Sequence, residues 1–295
     1  MRRQLELLQL RVDETVARWE KSLRRFSLLA LLLDAGQAFS ADGMSFLAAS
    51  LSYYALLALF PLLLLLIAFA SLFISETDAL AAVMRVARDY LPGVEMELQR
   101  VLRQVVDARG SATIIGLLTL LWSASGVFDV LQHALNRAWH VPVPRAFWLQ
   151  RLVSIGVIAL LGLFFLASVI VSSFSTALAL ALFGETVAAL QVIGWLGSIV
   201  GLAFAFIAFA ILYKTFPNVR VSWSVAWRGA LVAAVLWQIA KFLYEFYLVY
   251  LARFNLVYGS VGAIIGLLLW GYISASIVLF CAELSAVMSK REQGA

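Results

Sequence analysis

Gln238, Lys241 and Glu245 are spaced by three and four residues within an otherwise apolar stretch. On a helix that spacing places them along one face, with Tyr244 and Tyr247 beside them. A charge at the centre of a bilayer costs roughly 2.5–3.5 kcal/mol on insertion scales, so such side chains turn toward a bundle interior or a cavity and take partners. Two chemistries fit the triplet. It forms a polar lining for a substrate or proton pathway, or it is a neutralised pair that fixes helix packing. Lys241 precedes Glu245, the weaker order for a helical pair four residues apart. Their attraction is therefore modest, and the ammonium stays available to an anionic group such as a lipid phosphate.

A second polar set stands at the ends of apolar stretches. Asp129, Asn136, Arg137 and Glu283, with Arg151 at similar depth, would form either a gate on the cytoplasmic side or an interfacial salt-bridge cluster. Charge at the interface is less costly than charge at the centre, which favours the cluster. Gly197-x-x-x-Gly201 and Gly262-x-x-x-Gly266 let helix backbones approach closely. They pack helices within one subunit or seam a homodimer, with packing the more general use. Pro61 removes one backbone hydrogen bond and is expected to kink its helix. Trp139, Trp148, Trp223 and Trp227 read as an interfacial aromatic belt.

Several chemistries have no motif here. The sequence lacks G-x-x-x-x-G-K-[ST] and H-E-x-x-H, which would supply a phosphate loop or a zinc site. No G-x-S-x-G elbow supports a serine nucleophile. His133 and His140 are seven residues apart without a neighbouring cysteine or carboxylate cluster, and Cys281 has no second cysteine to pair with. We expect no metal, no cofactor and no enzymatic activity.

The elements that must carry these residues are long apolar helices. A spanning helix needs about 20 mostly apolar residues. Six stretches qualify, at about 46–74, 112–134, 152–174, 187–213, 229–250 and 262–288. The expected architecture is all-α, a membrane bundle of six transmembrane helices over residues 41–290. Ser40 to Ser45, with Asp42-Gly43, reads as a turn and a helix start. Ahead of it, Leu5, Leu8, Val12, Val16, Trp19, Leu23 and Phe26 recur at spacings of three and four. Residues 1–40 are thus expected to hold an amphipathic helix, lying on the membrane surface or on the protein's own cytoplasmic loops. Between the first two spans, residues 75–111 are polar. Two short helices are expected there, 79–90 and 95–108, divided by Pro92-Gly93. Residues 291–295 form a tail.

Composition agrees with this picture. The 295 residues are 63% hydrophobic and 13% charged, against about 25% charge in a soluble domain. The net charge of +5 need not signal nucleic acid. With the amino terminus inside, fifteen of the 22 Lys and Arg residues lie in cytoplasmic segments and six outside. Basic residues concentrate on the cytoplasmic side, so both termini are expected there and residues 75–111 in the periplasm.

Ser52-Tyr53-Tyr54-Ala55-Leu56-Leu57-Ala58-Leu59-Phe60-Pro61 resembles the first-span signature of the YihY/BrkB family of bacterial inner-membrane proteins. Trp122 to Gly126 with Leu135 to Trp139, Phe216-Pro217-Asn218 with Trp223 and Gly229, and Tyr258 to Ser260 with Trp270, Tyr272 and Ala282-Glu283-Leu284 resemble its later blocks. The resemblance covers about residues 40 to 290. Cys281 stands where the pattern has glycine. The resemblance implies six spans in the inner membrane. Members have long carried a ribonuclease BN label, yet no ligand cluster or soluble catalytic domain here supports that activity. Transport or envelope lipid handling is the usual suggestion for the family. The expectation is a transporter, or transport accessory, for a lipid or other amphipathic, anionic solute, with membrane lipids as partners. The alternative is a membrane scaffold that recruits envelope partners and transports nothing.

Overall fold

The computed structural model describes residues 27–71, 75–90, 99, 126–141, 187–250 and 260–293. All regular structure among the described residues is helical. We number the helices α1 (Ser27–Ala41), α2 (Met44–Ala70), α3 (Glu76–Tyr90), α4 (126–138), α5 (Val187–Thr215), α6 (Trp223–Tyr250) and α7 (Ser260–Gln293). Four of the six expected apolar stretches have a described helix at their position: α2, α5, α6 and α7. The second is described only from residue 126, and the third lies outside the described residues. Among the described residues, two helices, Trp223–Leu248 and Ile264–Glu292, are long and apolar enough to cross a membrane. A third span results if the bent pair α1–α2 is counted as one.

That bend is 71° and is made at Asp42-Gly43, the turn expected from sequence. Gly43 has φ of 64°, a left-handed conformation that glycine adopts without a Cβ penalty. Its amide donates to the Ser40 carbonyl at 3.1 Å. α2 is continuous helix through Pro61; the surroundings of Pro61 lie outside the described residues, as does the amphipathic pattern of residues 1–26.

α7 is the hub of the described structure, packing against α1, α2 and α6. Close approach is achieved by small residues. A Cβ placed on Gly271 would sit 2.7 Å from the Ser52 hydroxyl of α2, and that hydroxyl donates to the Leu268 carbonyl at 2.7 Å. A Cβ on Gly229 of α6 would lie 1.9 Å from the Ser285 hydroxyl of α7. A Cβ on Gly126 would strike the Tyr54 ring at 2.7 Å. The core between these helices is rich in alanine, with Ala48, Ala134, Ala138, Ala226, Ala230, Ala233 and Ala282 buried around Tyr213, Phe216 and Leu279. Tyr213 keeps its phenol satisfied by donating to the Val278 carbonyl at 2.9 Å.

α3 forms where the first polar-loop helix was expected. The Ser75 hydroxyl accepts from the Asp78 amide at 3.1 Å, an N-cap that satisfies an otherwise orphaned donor. Ala79 and Val83 are buried, and α3 packs on α2. The second expected helix, 95–108, lies outside the described residues apart from exposed Gln99.

Candidate functional site

Two polar regions are built onto this frame. The first is on α6. Its inward arc runs through Ala230, Ala233, Trp237 and Tyr244, and Lys241 falls inside that arc by helical spacing. The Tyr244 phenol donates to the Gly266 carbonyl at 2.7 Å, and the Trp237 indole donates to the Ser274 hydroxyl at 3.1 Å. Trp270 of α7 stacks on Tyr244 with ring centroids 5.1 Å apart and packs at 5.4 Å from Trp237. Aromatic pairs at such separations hold a seam rigidly.

Against that seam the Lys241 side chain is 18% exposed and Glu245 is 45% exposed, with Nζ to Oε1 at 3.9 Å. That distance is beyond hydrogen-bonding contact. Gln238 is half-buried on the flank shared with Glu245. The outer arc of α6 is apolar and exposed, through Val235, Ile239, Phe242, Leu243, Phe246 and Tyr250. An apolar outer face with a cation kept on the inner one is the arrangement a lipid-embedded helix requires.

Of the helix-packing residues, Gly266 receives the Tyr244 hydroxyl, which a Cβ there would meet at 3.1 Å. Gly266 is thus spent within the chain, on the α6–α7 seam. Gly262 is buried in α7 and Gly201 is half-buried in α5. The surroundings of Gly197 lie outside the described residues.

The second region is the end of the bundle where α4 ends, α5 turns into α6 and α7 runs out. The last turn of α4 closes with the Val141 amide on the Asn136 carbonyl at 2.9 Å and the His140 amide on the Arg137 carbonyl at 2.9 Å. This is a Schellman closure, and its left-handed position normally belongs to glycine. Here it is His140, with φ of 53°. His140 Nδ1 lies 2.9 Å from the Arg137 carbonyl. A carbonyl only accepts, so Nδ1 carries the proton in that contact. The same Nδ1 is 3.7 Å from Asp42 Oδ2. The α1–α2 turn thus brings a single carboxylate to His140, a contact the spacing of the histidines did not foretell.

Three of the four gate residues come to this end. Asn136 Oδ1 accepts the Asn218 amide at 2.8 Å, and Gln132 reaches the Asn218 side chain at 3.4 Å; α4 is thereby tied to the α5–α6 turn. Lys214 donates to the Val221 carbonyl across the same turn and sits 5.4 Å from the Trp223 ring centroid. Glu283, on α7, is 1% exposed. Asp129 is exposed on α4. It lies eight residues before Arg137, about 12 Å along the axis at about 1.5 Å per residue. The rim is closed by Arg291 with Asp34 at 2.5 Å and by Arg228 with Glu292. Among the described residues, Asp42 Oδ2, Glu283 Oε1 and Trp139 Nε1 are buried without a hydrogen-bond partner. No group of three or more His, Cys, Asp or Glu side chains that could hold a metal occurs among the described residues.

The geometry is that of a membrane-embedded helical protein with a polar end and an aromatic seam. Residues 35–295 match the family model described as virulence factor BrkB, and the chain belongs to that family. It is 30% identical over 259 residues to a Bacillus subtilis protein named putative ribonuclease-like protein YfkH, covering 83% of this chain and 90% of the relative. It is 29% identical over 277 residues to a UPF0761 membrane protein of Chromohalobacter salexigens, covering 90% of this chain and 65% of that protein. A UPF0761 membrane protein of Alteromonas mediterranea is 30% identical over 250 residues, 84% of each chain. No solved structure matches. This is a membrane protein of the BrkB family.

Proposed function

We propose that the chain is a six-span protein of the bacterial inner membrane that moves, or helps move, a lipid or other amphipathic, anionic solute. Both termini face the cytoplasm in this reading, and it has no enzymatic activity of its own. The observation that carries it is Lys241. An ammonium held on the inward arc of α6, with Glu245 at 3.9 Å as its ion partner, is a costly feature for a helix to keep. A neutralised packing pair would be expected to close to hydrogen-bonding distance. A cation kept at longer range retains capacity for an anionic head group.

The decisive experiment is purified protein in liposomes, with labelled phospholipids and amphipathic anions offered under several gradients. Movement that depends on Lys241 supports the proposal. Absence of movement under every gradient would turn the reading to the scaffold, which recruits envelope partners without transport. The ribonuclease-like name borne by the Bacillus relative is tested on the same preparation, with structured and single-stranded RNA. Cleavage that survives repurification would overturn the non-enzymatic reading.

A further inference from the structure

The turn between α5 and α6 gathers positive charge without counter-charge of its own. Between Glu185 and Glu245 the sequence has no Asp or Glu, yet Lys214, Arg220 and Arg228 stand at or beside this turn. Arg228 is engaged with Glu292 of α7. Lys214 donates to the Val221 carbonyl, which uses one of its three N–H donors and neutralises none of its charge. Arg220 is exposed. Among the described residues no carboxylate forms a salt bridge with Lys214 or Arg220.

The same turn begins a long apolar surface. The Lys214 ammonium sits 5.4 Å from the ring centroid of Trp223, a residue 60% exposed. From there Trp227, Leu231, Val235, Ile239 and Leu243 follow at every fourth position, and all are exposed. Residues four apart form one slanted ridge on a helix. Twenty residues of α6 rise about 30 Å at about 1.5 Å each, close to the thickness of a hydrocarbon layer. Tryptophan at the end of such a surface belongs at the level of the lipid head groups. The exposed hydroxyls of Ser222 and Ser224, 3.1 Å apart, stand at the same end. A soluble anion would use the two cations and leave the ridge bare. An apolar partner helix would cover the ridge and leave the cations unanswered. A molecule with an anionic head and long apolar tails answers both.

We propose that the α5–α6 turn and the ridge below it bind an anionic phospholipid of the surrounding bilayer. Its phosphate lies against Lys214 and Arg220, and its glycerol and acyl chains run along Trp223, Trp227 and Leu231. This site is separate from Lys241 and does not require that the protein move lipid.

Tryptophan quenching tests this on the full-length protein in phosphatidylcholine nanodiscs. Increasing mole fractions of phosphatidylglycerol brominated on its acyl chains are compared with brominated phosphatidylcholine. Half-maximal quenching should come at a lower mole fraction of the anionic lipid. One Lys or Arg beside an anionic surface changes affinity about fivefold, so Arg220→Gln should raise that mole fraction about fivefold and leave quenching by brominated phosphatidylcholine unchanged. It keeps the Lys214 bond to Val221. Lys214→Gln, made separately, should act in the same direction. Free glycerol phosphate should not displace the lipid. Equal mole fractions for the two lipids in the wild type, a preference unchanged in either variant, or one abolished by free glycerol phosphate would each overturn the proposal. The readout needs no transport, so a failure of the transport reading leaves it standing.

Discussion

Lys241 and Glu245 can be removed together without leaving a buried charge behind. Apolar replacement of a buried ion pair is often neutral or stabilising. Lys241→Met with Glu245→Leu is therefore expected to keep the thermal midpoint in detergent near wild type while lowering lipid or solute movement at least tenfold. Full activity in the double mutant would make the pair structural. A second residue-scale test lies at the α6–α7 crossing. Gly229→Ala drives a Cβ to 1.9 Å from the Ser285 hydroxyl, which is anchored on the Cys281 carbonyl at 2.8 Å. Overpacking of this kind costs about 1–3 kcal/mol, read as a lowered thermal midpoint. Adding Ser285→Ala should recover part of the loss; equal damage in single and double mutants would mean the crossing is looser than described.

At the scale of elements, His140 is the informative position. A left-handed residue with a Cβ costs roughly 1–2 kcal/mol. His140→Gly should relieve that strain at the end of α4 and raise stability by up to about 1 kcal/mol, minus whatever the Asp42 contact contributes. His140→Val, β-branched in the same conformation, should lower it. If both variants unfold at the wild-type temperature, the Schellman closure does not hold the end of α4. What was legible in the sequence divides along the same line. The helical spacing of Gln238, Lys241 and Glu245 is local, so their common face could be read from the chain, and Asp42-Gly43 announced its turn by residue type. The juxtaposition of Asp42 and His140 could not be read. It arises from the end of α4 reaching the α1–α2 turn, which is a tertiary fact with no periodic signature.

For the whole molecule, the basic asymmetry of the loops sets the orientation to be tested. In a Cys281→Ala background, a membrane-impermeant thiol reagent added outside intact cells should modify Gln99→Cys and spare Leu5→Cys, with the pattern reversed in inverted vesicles. Labelling of Leu5→Cys from outside would overturn the proposed topology. Gln99 suits the purpose because it is exposed, and Cys281 is buried among the core side chains, where alanine leaves little disturbance.

α7 has 34 residues, about 51 Å of helix at about 1.5 Å per residue, against a hydrocarbon layer of about 30 Å. Its surplus must project beyond the lipid or be absorbed by tilt. Measured from Ile264, about 30 Å of rise ends near Glu283, so a bilayer entered at Ile264 would put that carboxyl at the margin where lipid tails give way to head groups. Hydrophobic mismatch then becomes a variable the protein feels directly. A thicker bilayer draws this end of α7 inward and a thinner one leaves it in water. Because α1 is fastened to the same end through Asp34 and Arg291, the two helices would shift as one piece, making bilayer thickness a mechanical input to the bend they share.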